Sequence, residues 1–303
     1  MRASLRSLKG SVDRGTTTVV YAILMVQTLM ASATHIVAKA VVGVIDPLSL
    51  TLTRSLISAL AMGGMLLLRG RWTPIAREDY RLIFWLSLLA IPVNQFCFLF
   101  GMRYTVPSNA ALLYAATPIL VLLFSRVLLR ERLTRRKAGG VVLALIGVVI
   151  VIFERGFTAS MQYVYGNMII VIAVMAWGLY TVLGKRLIMT YGAIQASAMT
   201  IIMGTVLFIP IGIQPALQFP FETLTLPHWL EILYLGIVTS VFAYSLWYYA
   251  ISRIEVGKVA IFTNLQPVMT TLLAVILLGQ TITIPFVVGG LIAMCGVIFV
   301  QFG

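Results

Sequence analysis

Polar side chains stand at intervals inside long apolar runs of this chain. Their types suit holding a small molecule, not breaking a bond. Asn94 and Gln95 are the only strongly polar pair in the run Leu82–Met102. Ser240, Tyr244 and Tyr248 recur every four residues, the spacing of one helix face. Tyr114 and Thr117 precede Pro118, and Thr263, Asn264 and Gln266 precede Pro267. His35 lies in the first of these runs and Arg54 deep in the second, and Trp177 lies between Ala176 and Gly178. Polar groups at membrane depth are costly unless they face protein or a water-filled cavity. These residues are therefore the candidates for substrate contact. An enzyme would need a nucleophile with its base, or a metal set such as H-E-x-x-H. Neither histidine has a carboxylate in such spacing and no G-x-S-x-G is present. No enzyme, cofactor or metal site is expected.

Each candidate has a plainer reading. Tyr248 and Trp177 also fit packing or interfacial aromatics, and a lone histidine such as His35 is commonly packed and hydrogen-bonded. Arg54 is expected to be a paired structural arginine, although it could attract a carboxylate. Pro118 and Pro267 each free a backbone carbonyl one turn earlier, near Tyr114 and Thr263. Those carbonyls are expected to accept from a substrate amine, unless the kinks only shape packing. Gln95 is expected to face the Ser240–Tyr244–Tyr248 stripe across a cavity. The nine acidic residues lie in tails, loops or helix ends. A proton-driven pump usually carries an intramembrane carboxylate, so weakly coupled or facilitated export is expected unless His35 or a terminal carboxylate serves.

Long apolar elements must position these groups. Sixty percent of the 303 residues are apolar and ten percent charged, against about 25% charged in soluble domains. Ten runs approach membrane-spanning length: Val19–Val42, Leu48–Leu68, Leu82–Met102, Asn109–Leu129, Ala138–Phe153, Val164–Leu183, Ala193–Ile213, Leu230–Ile251, Val259–Leu278 and Ile284–Phe302. They are continuously apolar, which specifies helices and excludes a barrel. Ala138–Phe153 is the shortest. Ala31-Ser32-Ala33 resembles a signal-peptide cleavage site, but the run continues past it, so retention as a first helix is expected. Cys97 and Cys295 lie inside apolar runs and suit packing, not a disulfide or metal.

The chain repeats itself. Residues 109–151 align with 258–300 at a shift of 149, with eleven of 43 positions identical, Pro118 with Pro267 and Gly147 with Gly296 among them. Met30–Lys39 aligns with Ala176–Lys185 at a shift of 146. The expected organisation is a basic tail over 1–18, a first five-helix repeat over 19–155 and a second over 163–303, in one membrane domain. Five is odd, so the second repeat must run inverted relative to the first. The net charge of +13 could suggest a nucleic-acid binder. With both termini in the cytoplasm, however, 18 of the 22 lysines and arginines fall on cytoplasmic flanks. That is the positive-inside pattern, so no nucleic-acid partner is expected. The longest connection is read as Gln214–His228, on the opposite side. The fold class is all-α: ten transmembrane helices in two inverted repeats around a midplane site, a frequent transporter plan.

Thr117-Pro118-Ile119, then Leu128-Leu129-Arg130-Glu131-Arg132-Leu133-Thr134 and Gly140, resemble the EamA-type exporters of the drug/metabolite transporter superfamily. The second copy runs Gln266-Pro267-Val268, then Leu277-Leu278-Gly279-Gln280-Thr281-Ile282-Thr283 and Gly289. Gln280 stands where the family usually has glutamate. A weaker similarity is to YddG-type exporters of aromatic amino acids. The resemblance implies a bacterial inner-membrane, multi-pass exporter of amino acids, aromatic ones among them, or related small metabolites, working by alternating access. Export of drugs or nucleobases is the alternative, with a membrane-embedded enzyme behind it. The implied cavity is lined by the third, fourth, eighth and ninth helices. The protein is expected to work in lipid as a monomer or weak homodimer.

Overall fold

The computed structural model describes residues 14–70, 72–129, 134–153, 161–254 and 256–302. Most of the basic tail, Arg71, the motif residues Arg130 to Leu133, Glu154, Arg155 and Glu255 lie outside the described residues. Eight helices are long and apolar enough to cross a membrane. With two shorter apolar ones they are numbered here α1 Arg14–Val41, α2 Pro47–Arg69, α3 Arg77–Tyr104, α4 Pro107–Leu128, α5 Arg135–Ile152, α6 Met161–Tyr191, α7 Ala193–Gln218, α8 Leu226–Arg253, α9 Lys258–Leu278 and α10 Ile284–Phe302. No strand occurs among the described residues.

Helix ends follow local chemistry. Asp46 caps α2 by accepting from Leu48 N at 3.0 Å and Ser49 N at 2.9 Å, with Pro47 in the first turn. Gly70 closes α2 at φ 60° and Gly279 closes α9 at φ 61°, backbone values that suit glycine. The connection read as Gln214–His228 shortens on both sides. Helix α7 continues through Pro215 to Gln218, and α8 begins at Leu226.

The repeat is visible in the breaks. Helix α3 widens to an i→i+5 pattern over Leu89–Gln95 and returns to α geometry at Phe96. Helix α8 does the same over Tyr234–Ala243 and returns at Tyr244. Pro92 lies inside the first wide segment; the second has no proline. Helix α4 breaks after Tyr114 and resumes at Thr117 for 13 residues; α9 tightens over Ile261–Leu265 and resumes at Gln266 for 13 residues.

Inversion shows in which ends meet. The Lys39 ammonium at the end of α1 donates to the carbonyls of Met102 at 3.0 Å and Thr105 at 2.7 Å, at the C-terminal end of α3. Arg186, next to Lys185 near the end of α6, pairs with Asp79 at 2.8 Å, at the N-terminal end of α3. Equivalent points of the two repeats therefore sit at opposite ends of one helix. Tyr191 donates to Asp79 at 2.8 Å and Gln195 bonds both the N–H and the carbonyl of Thr73, so the α2–α3 connection is strapped to α6 and α7.

Helices α5 and α10 cross with the same logic. A Cβ on Gly147 would lie 2.5 Å from the Gly289 carbonyl oxygen and 2.7 Å from Ala293 Cα. A Cβ on Gly296 would lie 2.6 Å from the Gly140 carbonyl oxygen and 2.7 Å from Ala144 Cα. Adding 149 to each member of the second contact's partners gives the first contact's partners. Small residues let backbones meet directly, and helix interfaces are enriched in them where lipid removes the hydrophobic drive.

Candidate functional site

Helices α1, α2, α3, α4, α6, α8 and α9 enclose a cavity of about 70 Å³. A single water needs about 10–15 Å³ by the same measure, so the space holds several waters or a small polar group. The wide segments of α3 and α8 bring Asn94, Gln95, Thr239 and Ala243 to the wall, with Tyr244 just beyond. Wide turns of this kind are rare and cluster at functional sites.

Two aromatic groups wall the space. His35 meets Phe98 and Tyr114 edge-on, with centroids at 5.4 and 5.7 Å. Trp177 meets Tyr244 at 4.9 Å and Trp247 at 5.6 Å. Between them runs a hydrogen-bonded line. Tyr244 donates to Asn94 Oδ1 at 3.0 Å, and Asn94 Nδ2 donates to Tyr114 Oη and to the Ala173 carbonyl, both at 2.8 Å. Asn94 thus links α3, α4, α6 and α8.

The wide turn of α8 loosens its own carbonyls, and α2 answers them. Arg54 Nη2 donates to the Leu235 carbonyl and to Ser240 Oγ, both at 3.0 Å. Ser58, one turn on, donates to the Gly236 carbonyl at 2.8 Å. Ser240 spends its one proton on the Leu235 carbonyl at 2.9 Å, so it accepts from Gln95 Nε2 at 3.3 Å. That leaves Gln95 Oε1 without a protein partner. Gln27 Oε1, His35 Nε2, Gln266 Oε1 and Arg54 Nε are buried on the wall in the same condition. His35 Nδ1 donates to the Ala31 carbonyl at 2.8 Å, which fixes the neutral ring's lone pair on Nε2. A buried polar atom left unpaired costs about 1–3 kcal/mol. Five such atoms belong to residues that line one space, and a polar solute that bonds them there lowers the free energy.

Of the eleven residues singled out from sequence, the structure brings eight to this wall: His35, Asn94, Gln95, Tyr114, Trp177, Tyr244, Thr263 and Gln266. Three lie off it. Tyr248 stacks on Tyr180 at 5.1 Å and fills the space left by Gly184, where a Cβ would sit 2.5 Å from its hydroxyl. Thr117 is fully buried and donates to the Tyr114 carbonyl at 2.5 Å. Asn264 lies beside Thr263 with its side-chain oxygen buried and unpaired. The carbonyls expected to be open to a substrate amine already have partners. Tyr114 O takes the Thr117 hydroxyl, and Thr263 O takes the Gln266 N–H through a tightened turn. Among the described residues Arg54 has no carboxylate beside it; it donates to a carbonyl and a hydroxyl. Sequence reasoning missed Gln27, Thr34, Thr239 and Trp247 as wall residues. Thr34 and Thr239 share a 2.8 Å hydrogen bond between α1 and α8, and a repeat search alone gives no sign of such a pair.

The model of the EamA-like transporter family matches residues 18–153 and again 164–302. The chain belongs to this family. Two matches in one chain also agree with the repeat. The Bacillus subtilis (strain 168) protein known as uncharacterized transporter YyaM is 26% identical over 92% of both chains. A probable terminal-alkyne amino-acid exporter from Streptantibioticus cattleyicolor is 25% identical over 66% of both. One crystal structure superposes with a TM-score of 0.67 at 21% identity, covering 94% of this chain and 97% of the other, which shows a shared fold. The names of these relatives describe transporters.

Proposed function

We propose that this EamA member exports amino acids, aromatic ones among them, or related small metabolites across a bacterial inner membrane. The observation that carries the reading is the central cavity between two inverted repeats, walled by aromatics and carrying unpaired buried polar atoms. Aromatic faces suit an apolar side chain, and the unpaired oxygens and nitrogens suit the polar head of an amino acid. Gln95, Asn94, Tyr114, Tyr244, Thr263, Gln266, His35 and Trp177 contact the substrate; Tyr248, Thr117 and Asn264 support them from behind. Both termini face the cytoplasm in this reading, which the basic flanks support. The repeats exchange conformations to open the cavity to one side and then the other.

Counterflow in proteoliposomes tests this. Labelled amino acids should exchange saturably, as a carrier requires and a channel does not. Gln95→Ala and Tyr244→Ala should each lower that flux at unchanged protein level. Undiminished flux in both variants would discard the site; absence of saturable exchange would discard the transport reading.

A further inference from the structure

Within that transport reading, we infer that the cavity selects its substrate by a carboxylate, that Arg54 makes the selection, and that an ammonium group on the same substrate is dispensable. Arg54 is 1% exposed and stands on the cavity wall. Its hydrogen bonds run from Nη2 to two uncharged acceptors, the Leu235 carbonyl and the Ser240 hydroxyl, and its Nε has no protein partner. Among the described residues no aspartate or glutamate lines the cavity. The carboxylates of Glu78 and Asp79 sit at the N-terminal end of α3 beside Arg186. A buried cation bonded only to neutral groups keeps its desolvation penalty without a counter-charge. A carboxylate entering the cavity supplies that charge, and the planar guanidinium is the side chain best shaped to receive it.

The other unpaired wall atoms have a different character. Gln27 Oε1, Gln95 Oε1, Gln266 Oε1 and His35 Nε2 are neutral acceptors. The Gln95 oxygen is fixed in that role, because of the two ends of its amide only the nitrogen can donate to Ser240. Neutral acceptors take a proton from a hydroxyl as well as from an ammonium. Exchanging a substrate's amine for a hydroxyl therefore cuts its protons from three to one but keeps a donor toward these acceptors, and it forfeits no charge pair, since among the described residues no carboxylate lines the cavity. Exchanging its carboxylate for an amide leaves Arg54 uncompensated.

Three competitors against labelled phenylalanine in the counterflow assay decide it. Unlabelled phenylalanine and phenyllactate should compete within about tenfold of each other, and phenylalaninamide at least about tenfold more weakly. Arg54→Gln should erase the difference between acid and amide, and Arg54→Lys should retain it. If neither variant inserts stably, the wild-type comparison decides alone. The inference is overturned if phenylalaninamide competes as well as phenylalanine, or if phenyllactate fails to compete. Those outcomes leave the transport reading standing. No phenylalanine counterflow at all removes the transport reading and this inference with it.

Discussion

Alanine at Gly147 or Gly296 tests the repeat architecture at its tightest point. In either variant the new Cβ meets backbone, 2.7 Å from Ala293 Cα or from Ala144 Cα. The backbone nitrogen of Ala293 or Ala144 lies closer still, and ordinary contact begins near 3.4 Å, so each crossing must open by about 1 Å. No flexible side chain is available to yield. Overpacking of a filled interior costs about 1–3 kcal/mol, and a rigid backbone target places both variants at the upper end, about 3 kcal/mol. Part of that is dispersion lost along α5 and α10, since a gap of about 0.5–1 Å forfeits a quarter to a half of each contact's attraction. Because the two glycines are repeat mates, the two single variants should agree within about 0.5 kcal/mol. The double variant should cost little more than one single, since separating the helices once relieves both clashes. Two controls share the same helices. Gly139 has nothing within 4 Å of its added Cβ and Gly290 meets only Leu112 methyls at 3.4 Å or more. Alanine at Gly139 should stabilise by about 0.5–1 kcal/mol through backbone entropy, and at Gly290 should be near neutral. Thermal unfolding in detergent, followed by loss of monodisperse protein, reads all five. Near-neutral Gly147→Ala, or strict additivity in the double variant, would refute the symmetric crossing.

Asn94→Leu keeps the side chain's size but strands the Tyr244 donor, the Tyr114 hydroxyl and the Ala173 carbonyl. Three bonds at about 1 kcal/mol each give a loss of about 3 kcal/mol, measured by the same unfolding assay, together with reduced flux. An unchanged midpoint would mean that Asn94 is not the tie between α3, α4, α6 and α8. Lys39→Met removes a half-buried ammonium that donates to the end of α3, for a loss of about 1–3 kcal/mol. Lys185→Met, at the equivalent but exposed position, should stay within about 0.5 kcal/mol of wild type. Equal effects would deny that the two repeat ends are in different states.

The elements were legible because the membrane leaves few options: a run near 20 apolar residues can only be a helix. The repeat was legible because Pro118 and Pro267, and Gly147 and Gly296, are bound to one geometry each. Periodicity does not report the i→i+5 segments, since Tyr234–Ala243 has no proline and reads as an unbroken apolar stretch. The stripe from Ser240 to Tyr248 begins inside that segment, so a uniform spacing of four overextended it. Ser240 and Tyr244 bond Gln95 and Asn94, whereas Tyr248 turns to Tyr180. Proline rules identified which carbonyls would be released, Tyr114 O and Thr263 O. They could not tell that Thr117 and the Gln266 N–H stand close enough to reclaim them. Arg54 was expected to be paired, and only three-dimensional packing revealed that its neighbours are uncharged.

The widened stretches of α3 and α8 have a consequence for how the chain tolerates change in length. An i→i+5 loop takes in one residue more per turn than the regular helix on either side of it. Each stretch therefore stores a surplus residue at the depth of the chamber. Shortening Tyr234–Ala243 by one residue would let α8 run as an unbroken rod with its two outer portions still facing the neighbours they face now. The molecule would keep its scaffold and lose the loosened carbonyls that hold Arg54 and Ser58. Within these two stretches, then, chain length governs the chemistry of the interior while the surrounding architecture is left intact.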